Sequence, residues 1–568
     1  MHILGLSAFY HDSAACLSGD DGLLVAAQEE RLDRVKGSAA FPARALDACL
    51  QSAGITLMDV DEIAFYEKPF LKFERVLFDH LRSFPLSYPA FRRSMPAWLG
   101  ERLVLPLVLR DRLGWRKPVR FVPHHLAHAG SAFLVSPFDE AAILTVDGVG
   151  EWTTTAWGVG RGHRIEMRQE IRYPDSLGLL YTAVTTYLGF EANRGEGKVM
   201  ALAGFGRPVH LDRLRRVAGL RPDGSFRLDP SYFRFHRGER MWSPRFEREF
   251  GPPRAPRTVI EPRHQDVAAS LQALLEEALL AIVRHVHRQT GLTRLCMAGG
   301  VALNCVANGR LLDEGPFREI FVQPAAGDAG AALGAAAVLR HCMHGRPREV
   351  VMHQACVGPG YPVTRMRRAL AVRGLPAREL PEEPLLARTA DLLARGAVVG
   401  WFQGPMEFGP RALGHRSILA DPRRPDMKDI LNARVKHREP FRPYGASVLM
   451  EEVGDWFERD TPSPFMLFAV RVRPDKRDRI PSALHVDGTC RHQTVTAESD
   501  PLYHGLLQEF ARRTGVPMII NTSFNDNNEP IVCTPEDAVA CFLKNDLDAL
   551  VMGPFLVEKR PEDGGDTP

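Results

Sequence analysis

Residues Phe121 to Gly150, FVPHHLAHAGSAFLVSPFDEAAILTVDGVG, constrain the fold more than any other stretch of the chain. His124 and His128 stand four apart, so on a helix both imidazoles leave one face, one turn apart. That spacing can offer two nitrogen ligands to one metal, although short motifs match freely and a histidine-rich helix cap is the plainer alternative. AAILTV then reads as a short buried strand, and Asp147 follows it directly, with Gly148 and Gly150 behind. A carboxylate on a glycine turn at the carboxyl end of a buried strand is where α/β proteins place metal and phosphate groups. The competing reading is an ordinary strand-to-strand turn.

The same pattern opens the chain. Ile3 to Ser7 reads as a strand, and LLVAAQEER after Gly19 to Gly22 as its hairpin partner, with His11 and Asp12 between them. A His-Asp pair in such a turn is commonly just a satisfied turn. Glu29, Glu30, Arg31 and Lys36 follow as a charged run, which reads as a solvated face. Two strand–turn–strand units in one chain point to an internally duplicated α/β architecture.

Further along, the glycine turn at Gly195, Gly197 and Lys198 lacks the spacing of a phosphate-binding loop. RLCMAGGVALNCVANGRLL gives a strand, then Gly299 and Gly300, then a helix carrying Asn304 and Asn308. Glycines in that place let backbone N–H groups meet a phosphate or ribose, or simply allow tight packing. FVQPAAGDAGAALGAAAVL repeats strand, loop and helix, with Asp328 at the helix start as an N-cap or a further metal ligand. Residues 346–383 are rich in Pro, Gly and Arg and read as a linker with a short helix inside. Beyond them, short loops carry Arg411, Lys436, Arg438, Arg442 and Arg491, and a strand ends at Asn521. Cations gathered this way suit a phosphate or carbamoyl phosphate group, against surface salt bridges as the alternative.

Composition narrows the class. With 72 Lys and Arg against 69 Asp and Glu, there is no electrostatic case for a nucleic-acid protein. The nine cysteines are scattered without a C-x-x-C, which fits a reduced cytoplasm and offers no cysteine zinc site. The amino end lacks a basic n-region, and Leu103 to Leu113 is too short and too charged to span a bilayer, so a soluble cytoplasmic protein is expected.

The set HDSAA, EER, HHLAHA, TVDGVGEW, SLGLLY, AGGVALN, GDAGAALGAA, GPRALGHRSIL, VKHRE, FRP, HQTV and NTSFN, in order from about residue 1 to 558, resembles the NodU/CmcH-type O-carbamoyltransferases, a family that includes the tobramycin carbamoyltransferase. The resemblance implies an actin/sugar-kinase-like domain over residues 1–345 and a YrdC-like α/β domain, similar to threonylcarbamoyl-adenylate synthases, over 384–568. It implies that carbamoyl phosphate and ATP, with Mg, give a carbamoyl adenylate, and that the carbamoyl group then passes to a hydroxyl of a sugar or natural-product alcohol. By the same resemblance His124, His128, Asp147 and Asp328 match ligands of Fe(II), with Mn or Zn compatible by ligand type. Lys36, Gly178, Gly299, Gly300 and Asn304 match nucleotide contacts. Arg411, Lys436, Arg442, Arg491 and Asn521 match the carbamoyl phosphate pocket. His11 matches the residue that deprotonates the acceptor. Family precedent also allows a homodimer. Asn527 and Asn528 depart from the family's usual Arg-Gly; Asn tolerates a left-handed turn, but a cation is lost. Two other readings compete: threonylcarbamoyl transfer to tRNA, and a non-catalytic nucleotide- and metal-binding regulator. Acceptor recognition is expected in the segments Tyr66 to Trp98 and Arg207 to Glu261.

Overall fold

A computed structural model describes residues 1–20, 22–235 and 240–559. The chain forms two compact units, Met1–Glu29 with Gly37–Met352, and Glu30–Lys36 with His353 onward.

The first unit holds two five-stranded sheets of one topology. Strands β1 (Ile3–Ser7), β2 (Ala14–Ser18), β3 (Leu24–Gln28), β4 (Glu62–Phe65) and β5 (Val119–Phe121) lie in the order β3-β2-β1-β4-β5. Strands β6 (Glu140–Val146), β7 (Thr153–Arg161), β8 (Arg164–Arg172), β9 (Arg294–Ala298) and β10 (Glu319–Val322) repeat it as β8-β7-β6-β9-β10. In each, three antiparallel strands come first and two parallel ones follow. This is the expected duplication, and its strand order is that of the actin/sugar-kinase class. One detail differs from the sequence reading: Ala14–Ser18 is a strand between the two expected in the first hairpin. Its small residues look like turn, but all five are buried, and burial rather than propensity decides.

Small residues set the spacing of the layers. The helix Asp328–Ala337, DAGAALGAAA, is buried along its whole length. It packs on the helix His124–Phe133 so closely that a β carbon on Gly334 would lie 1.7 Å from the Ala127 carbonyl oxygen. On β1, a β carbon on Gly5 would lie 2.0 Å from the Ala332 carbonyl oxygen. Backbone therefore meets backbone where larger side chains would hold the elements apart.

The second unit carries a nine-stranded mixed sheet of β11 (Arg378–Glu379), β12 (Val399–Phe402), β13 (Arg416–Ala420), β14 (Gly445–Leu449), β15 (Ala469–Arg471), β16 (Thr489–Val495), β17 (Met518–Ser523), β18 (Ala549–Met552) and β19 (Phe555–Glu558). Its order is β11-β19-β18-β12-β13-β17-β14-β16-β15. Within the proline-rich stretch before β12, the helix Val363–Val372 forms, and β11 pairs with β19.

The run Glu29 to Lys36 is not a solvated face. Glu29, Glu30 and Arg31 are buried. The Glu29 carboxylate accepts the amides of Ala45 at 2.8 Å and Arg44 at 3.3 Å, at the start of the helix Ala43–Ala53. In the second unit, Arg31 donates to the Gly409 carbonyl at 2.7 Å and Arg34 to that of Ile531 at 2.7 Å. Leu32 packs on Met406, Ile531 and Cys533 there. A charge run looks solvated only until backbone carbonyls are found to receive it.

Gly334→Val should cost roughly 1–3 kcal/mol or more, because the added carbons meet a backbone oxygen that cannot yield cheaply. A thermal midpoint equal to that of the parent protein would show that the helices are not held at this distance.

Candidate functional site

The helix His124–Phe133 begins directly after Pro123, and its first amide is satisfied from a distance. The Glu151 carboxylate accepts the His124 N–H at 3.0 and 3.2 Å, and also the Lys68 N–H at 2.8 Å. A carboxylate at a helix amino terminus stabilises it, and here it also fixes where the first imidazole stands. Glu151 was not singled out from the sequence, although it lies four residues after Asp147 inside TVDGVGEW.

Asp147 is placed by the end of β6 and by two close approaches. Its amide donates to the Thr154 carbonyl at 2.9 Å. A β carbon on Gly299, at φ 92°, would lie 2.2 Å from the Val146 carbonyl oxygen. One on Gly178 would lie 2.6 Å from that of Asp147. Gly300 N–H then donates to Asp147 Oδ1 at 2.8 Å, and Ser176 Oγ donates to the Gly148 carbonyl at 2.6 Å. Three of the glycine positions read as nucleotide contacts thus also seat this carboxylate.

The four donors converge. His124 Nε2 lies 3.2 Å from Asp147 Oδ2 and 3.1 Å from His128 Nε2. Asp328 Oδ1 lies 3.7 Å from His124 Nε2 and 3.6 Å from His128 Nε2. One ligand atom from each of the four residues lies within 4.8 Å of every other. Asp328 is the first residue of its helix, after an N-cap at Gly327, and its carboxylate faces the histidines rather than capping the helix. Its Oδ1 is buried without a hydrogen-bond donor among the described residues. Two imidazole nitrogens facing each other beside two carboxylates fit a divalent cation, for which nitrogen and oxygen donors of this kind are ordinary ligands. His125 points elsewhere: its Nε2–H donates to the Thr153 carbonyl at 2.9 Å and its Nδ1 meets the Thr145 hydroxyl at 2.7 Å.

The charges are strongly coupled. Burial alone would depress the His124 imidazole, but Asp147, Asp328 and Glu151 outweigh it and raise it to about 9. Burial would raise the Asp328 carboxyl, yet His11, His128 and His124 hold it down to about 2. Asp147 is likewise held well below the usual carboxylate range against its burial, chiefly by the His124 hydrogen bond. His125 is pushed down to about 3 by burial and then by the charges of His124 and His128, so it stays neutral.

His11 joins this group from the β1–β2 turn. Its Nδ1 is 2.9 Å from Asp12 Oδ2, and its Nε2 is 3.8 Å from Asp328 Oδ2. Burial opposes charging, but Asp328 and Asp12 raise the imidazole to about 9. Asn304 is engaged within the fold: its Oδ1 accepts the Ala307 amide at 3.0 Å, capping a helix, and its Nδ2 donates to Gln272 Oε1 at 2.9 Å. Gly197 and Lys198 lie within the helix Glu196–Ala203.

A second cluster lies in the second unit. Lys436 is buried, with Nζ donating to the Asn525 side-chain oxygen at 2.8 Å and carbonyl at 2.9 Å and to the Ser523 carbonyl at 2.5 Å. Burial first, then Arg438, Lys36 and Arg442, push it well below the ordinary lysine range. Arg438 stacks 4.1 Å from the Tyr444 ring centroid. Burial lowers it to about 10, with Tyr444 opposing and Arg442 and Arg491 adding. Arg442 is lowered by burial and by Arg491, with Glu439 3.7 Å away opposing. Asn521 Nδ2 donates to Ser447 Oγ at 3.0 Å, while Asn521 Oδ1 and Arg491 Nε are buried with no hydrogen-bond partner among the described residues. Lys36 belongs to the second unit and adds to the positive charge around Lys436. Arg411 lies in the loop between β12 and β13. Mutual repulsion among buried cations marks a place where a multiply charged anion is stabilising. The turn that departs from the family pattern is kept: Asn528 has φ 61°, and Asn527 Nδ2 donates to the His437 carbonyl at 2.9 Å.

Residues 2–337 match the family described as carbamoyltransferase N-terminus, and residues 390–559 the one described as carbamoyltransferase C-terminus. The chain belongs to the carbamoyltransferase family. This carbamoyltransferase is 45% identical to an uncharacterized protein of Synechocystis sp., over 98% of this chain and 97% of that one. It is 40% identical to nodulation protein NolNO of Sinorhizobium fredii, over 98% of this chain and 81% of that one. Among solved structures it is similar to the ROK hexokinase from Thermus thermophilus, at 16% identity over 59% of this chain and 97% of that chain, with a TM-score of 0.28. The fold assignment rests on the strand order described above. Among its described residues, the carbamoyltransferase has no helix long and apolar enough to cross a membrane.

His128→Ala and Asp328→Asn should each lower the Fe or Mn retained per chain roughly tenfold or more, as removal of a ligand does. Arg442→Ala should leave it unchanged, as read by elemental analysis after metal loading and desalting. Full metal content in both site variants would show that these four residues hold no ion.

Proposed function

We propose that the enzyme is an ATP-dependent O-carbamoyltransferase acting on a hydroxyl of a sugar or natural-product alcohol, with two half-reactions divided between its units. The observation that carries this reading is the meeting of two histidines and an aspartate from one stretch of the first unit with Asp328 from a distant one. The cation cluster of the second unit supports the other half.

In the second unit, Arg442, Arg491 and Lys436, with Arg411 and Asn521, bind carbamoyl phosphate. Their positive charge stabilises the phosphate as it leaves by hydrolysis. The carbamate oxygen then attacks the α-phosphorus of ATP, bound with Mg, and pyrophosphate departs, giving carbamoyl adenylate. The YrdC-like character inferred for this unit from the family resemblance agrees with such an adenylation. In the first unit, Gly178, Gly299 and Gly300 give the nucleotide close access to backbone. His11 takes the proton of the acceptor hydroxyl as its oxygen bonds to the carbamoyl carbon, and AMP leaves. Asp12 on Nδ1 orients the ring so that Nε2 faces the site. His124, His128, Asp147 and Asp328 would hold the metal, which we read as Fe(II) by resemblance. When bound, that ion would polarise the carbonyl and compensate the carboxylate charge that otherwise keeps His11 protonated.

Arg442→Ala should lower AMP and pyrophosphate formation from carbamoyl phosphate and ATP by about two orders of magnitude, the usual effect of removing one stabilising cation or donor. His128→Ala should keep that half-reaction and lose transfer. Equal loss of adenylate formation in both variants contradicts the division of labour. Separately, Asn527→Arg should lower the KM for carbamoyl phosphate several-fold by restoring a cation beside His437. An unchanged KM would place residue 527 outside the pocket's field.

A further inference from the structure

A cavity of about 620 Å³ in the first unit lies where the segments Tyr66 to Trp98 and Arg207 to Glu261 meet. Its lining is unequal in charge. Among the described residues, Arg82, Arg234, Arg245 and Arg248 face it against a single carboxylate, Asp79. Arg245 is held by Asp229 at 3.4 Å and by Ser231 Oγ at 2.5 Å, and it lies 4.3 Å from the Tyr232 ring centroid. Arg234 and Arg248 have no ion-pair partner among the described residues. Phe233 and Phe235 stack on each other at 5.0 Å and 11° and give the wall a flat apolar face. A ring edge or face can rest there while guanidinium forks take a negative group.

The cavity is joined to the four-donor site by a short relay. Arg75 lies 5.2 Å from the ring centroid of Tyr173 and 4.0 Å from the carboxylate of Asp79, both in the cavity wall. Arg75 Nε donates to the Glu151 carbonyl at 2.6 Å, and the Glu151 carboxylate caps the histidine helix. The Tyr173 amide also donates to the Trp152 carbonyl at 2.7 Å, so the loop leaving Asp147 runs directly to the cavity wall.

We infer that this cavity binds the acceptor, and that the acceptor is an anionic sugar or ring-bearing alcohol, bearing phosphate or carboxylate, rather than a neutral or cationic one. The inference rests on the carbamoyl-transfer reading above and adds the class of substrate. Arginine forks pair bidentately with either anion, so the shared feature is the negative charge, and a cationic amino sugar would meet four like charges.

The test is equilibrium binding to the full metal-loaded chain, using glucose 6-phosphate, uridine diphosphate glucose, glucose and glucosamine as probes. The two anionic probes should bind roughly tenfold or more tighter than glucose, with glucosamine weakest and with binding that weakens as salt rises. The exposed double variant Arg234→Ala/Arg248→Ala should lose that preference. Arg240→Ala, which pairs with Glu247 outside the lining, should keep it and serves as the surface-charge control. Thermal midpoints of both establish that they fold. Equal or tighter binding of glucose or glucosamine, no binding of the anionic probes, or an unaltered preference in the double variant overturns the inference. AMP formation by the parent enzyme without acceptor is measured alongside. If it is absent, the transfer reading itself fails; if it is present without anion preference, only the present inference does.

Discussion

The first unit's chemistry depends on how closely two helices of small residues approach. Asp328 and the pair His124 and His128 belong to different helices and are separated by about two hundred residues of chain. Their donor atoms come within 4.8 Å of one another where Gly334 lets the Ala127 carbonyl sit against the neighbouring backbone. Any side chain larger than hydrogen there would widen the gap by more than a metal–ligand distance can absorb. The Gly- and Ala-rich helix is therefore a positioning device as much as a packing one. The same approach, through Gly5, ties the helix to β1 and so to the turn that carries His11.

Much of this was legible in the amino-acid string. The i, i+4 histidines, the strand ending in Asp147 and the second strand–turn–strand unit each have a period or a spacing that survives without coordinates. The duplication became visible in full only as strand order, since Ala14–Ser18 is a strand by burial rather than by residue type. What could not be read were partnerships across long separations. Glu151 looks like any acidic residue until its carboxylate is seen to accept the His124 amide. Asn304 reads as a ligand contact, and only the fold shows that Gln272 and the Ala307 amide also hydrogen-bond it. Lys36 followed its sequence neighbours into the first unit on paper and joins the second in space.

The two clusters use charge in opposite ways. In the first unit carboxylates and imidazoles neutralise one another, so each shifts its neighbour toward the charged form. In the second, cations crowd together with backbone and amide oxygens as their main partners, and each discourages its neighbour's charge. The former favours an ion of high positive charge density, the latter a polyanion. One chain thus maintains two local fields of opposite preference while its net formal charge is only +3.

The strap Glu30–Lys36 has a consequence for how the molecule can be divided. It is flanked in the chain by first-unit residues, yet it supplies Leu32, Arg31 and Arg34 to the second. Neither unit is a contiguous stretch of polypeptide. A gene cut at Met352 would hand its carboxyl-terminal product a bare apolar surface at Met406 and Ile531 and several carbonyls without donors. Exchange of second units between relatives must carry this heptapeptide with it, as a matched graft rather than a simple fusion.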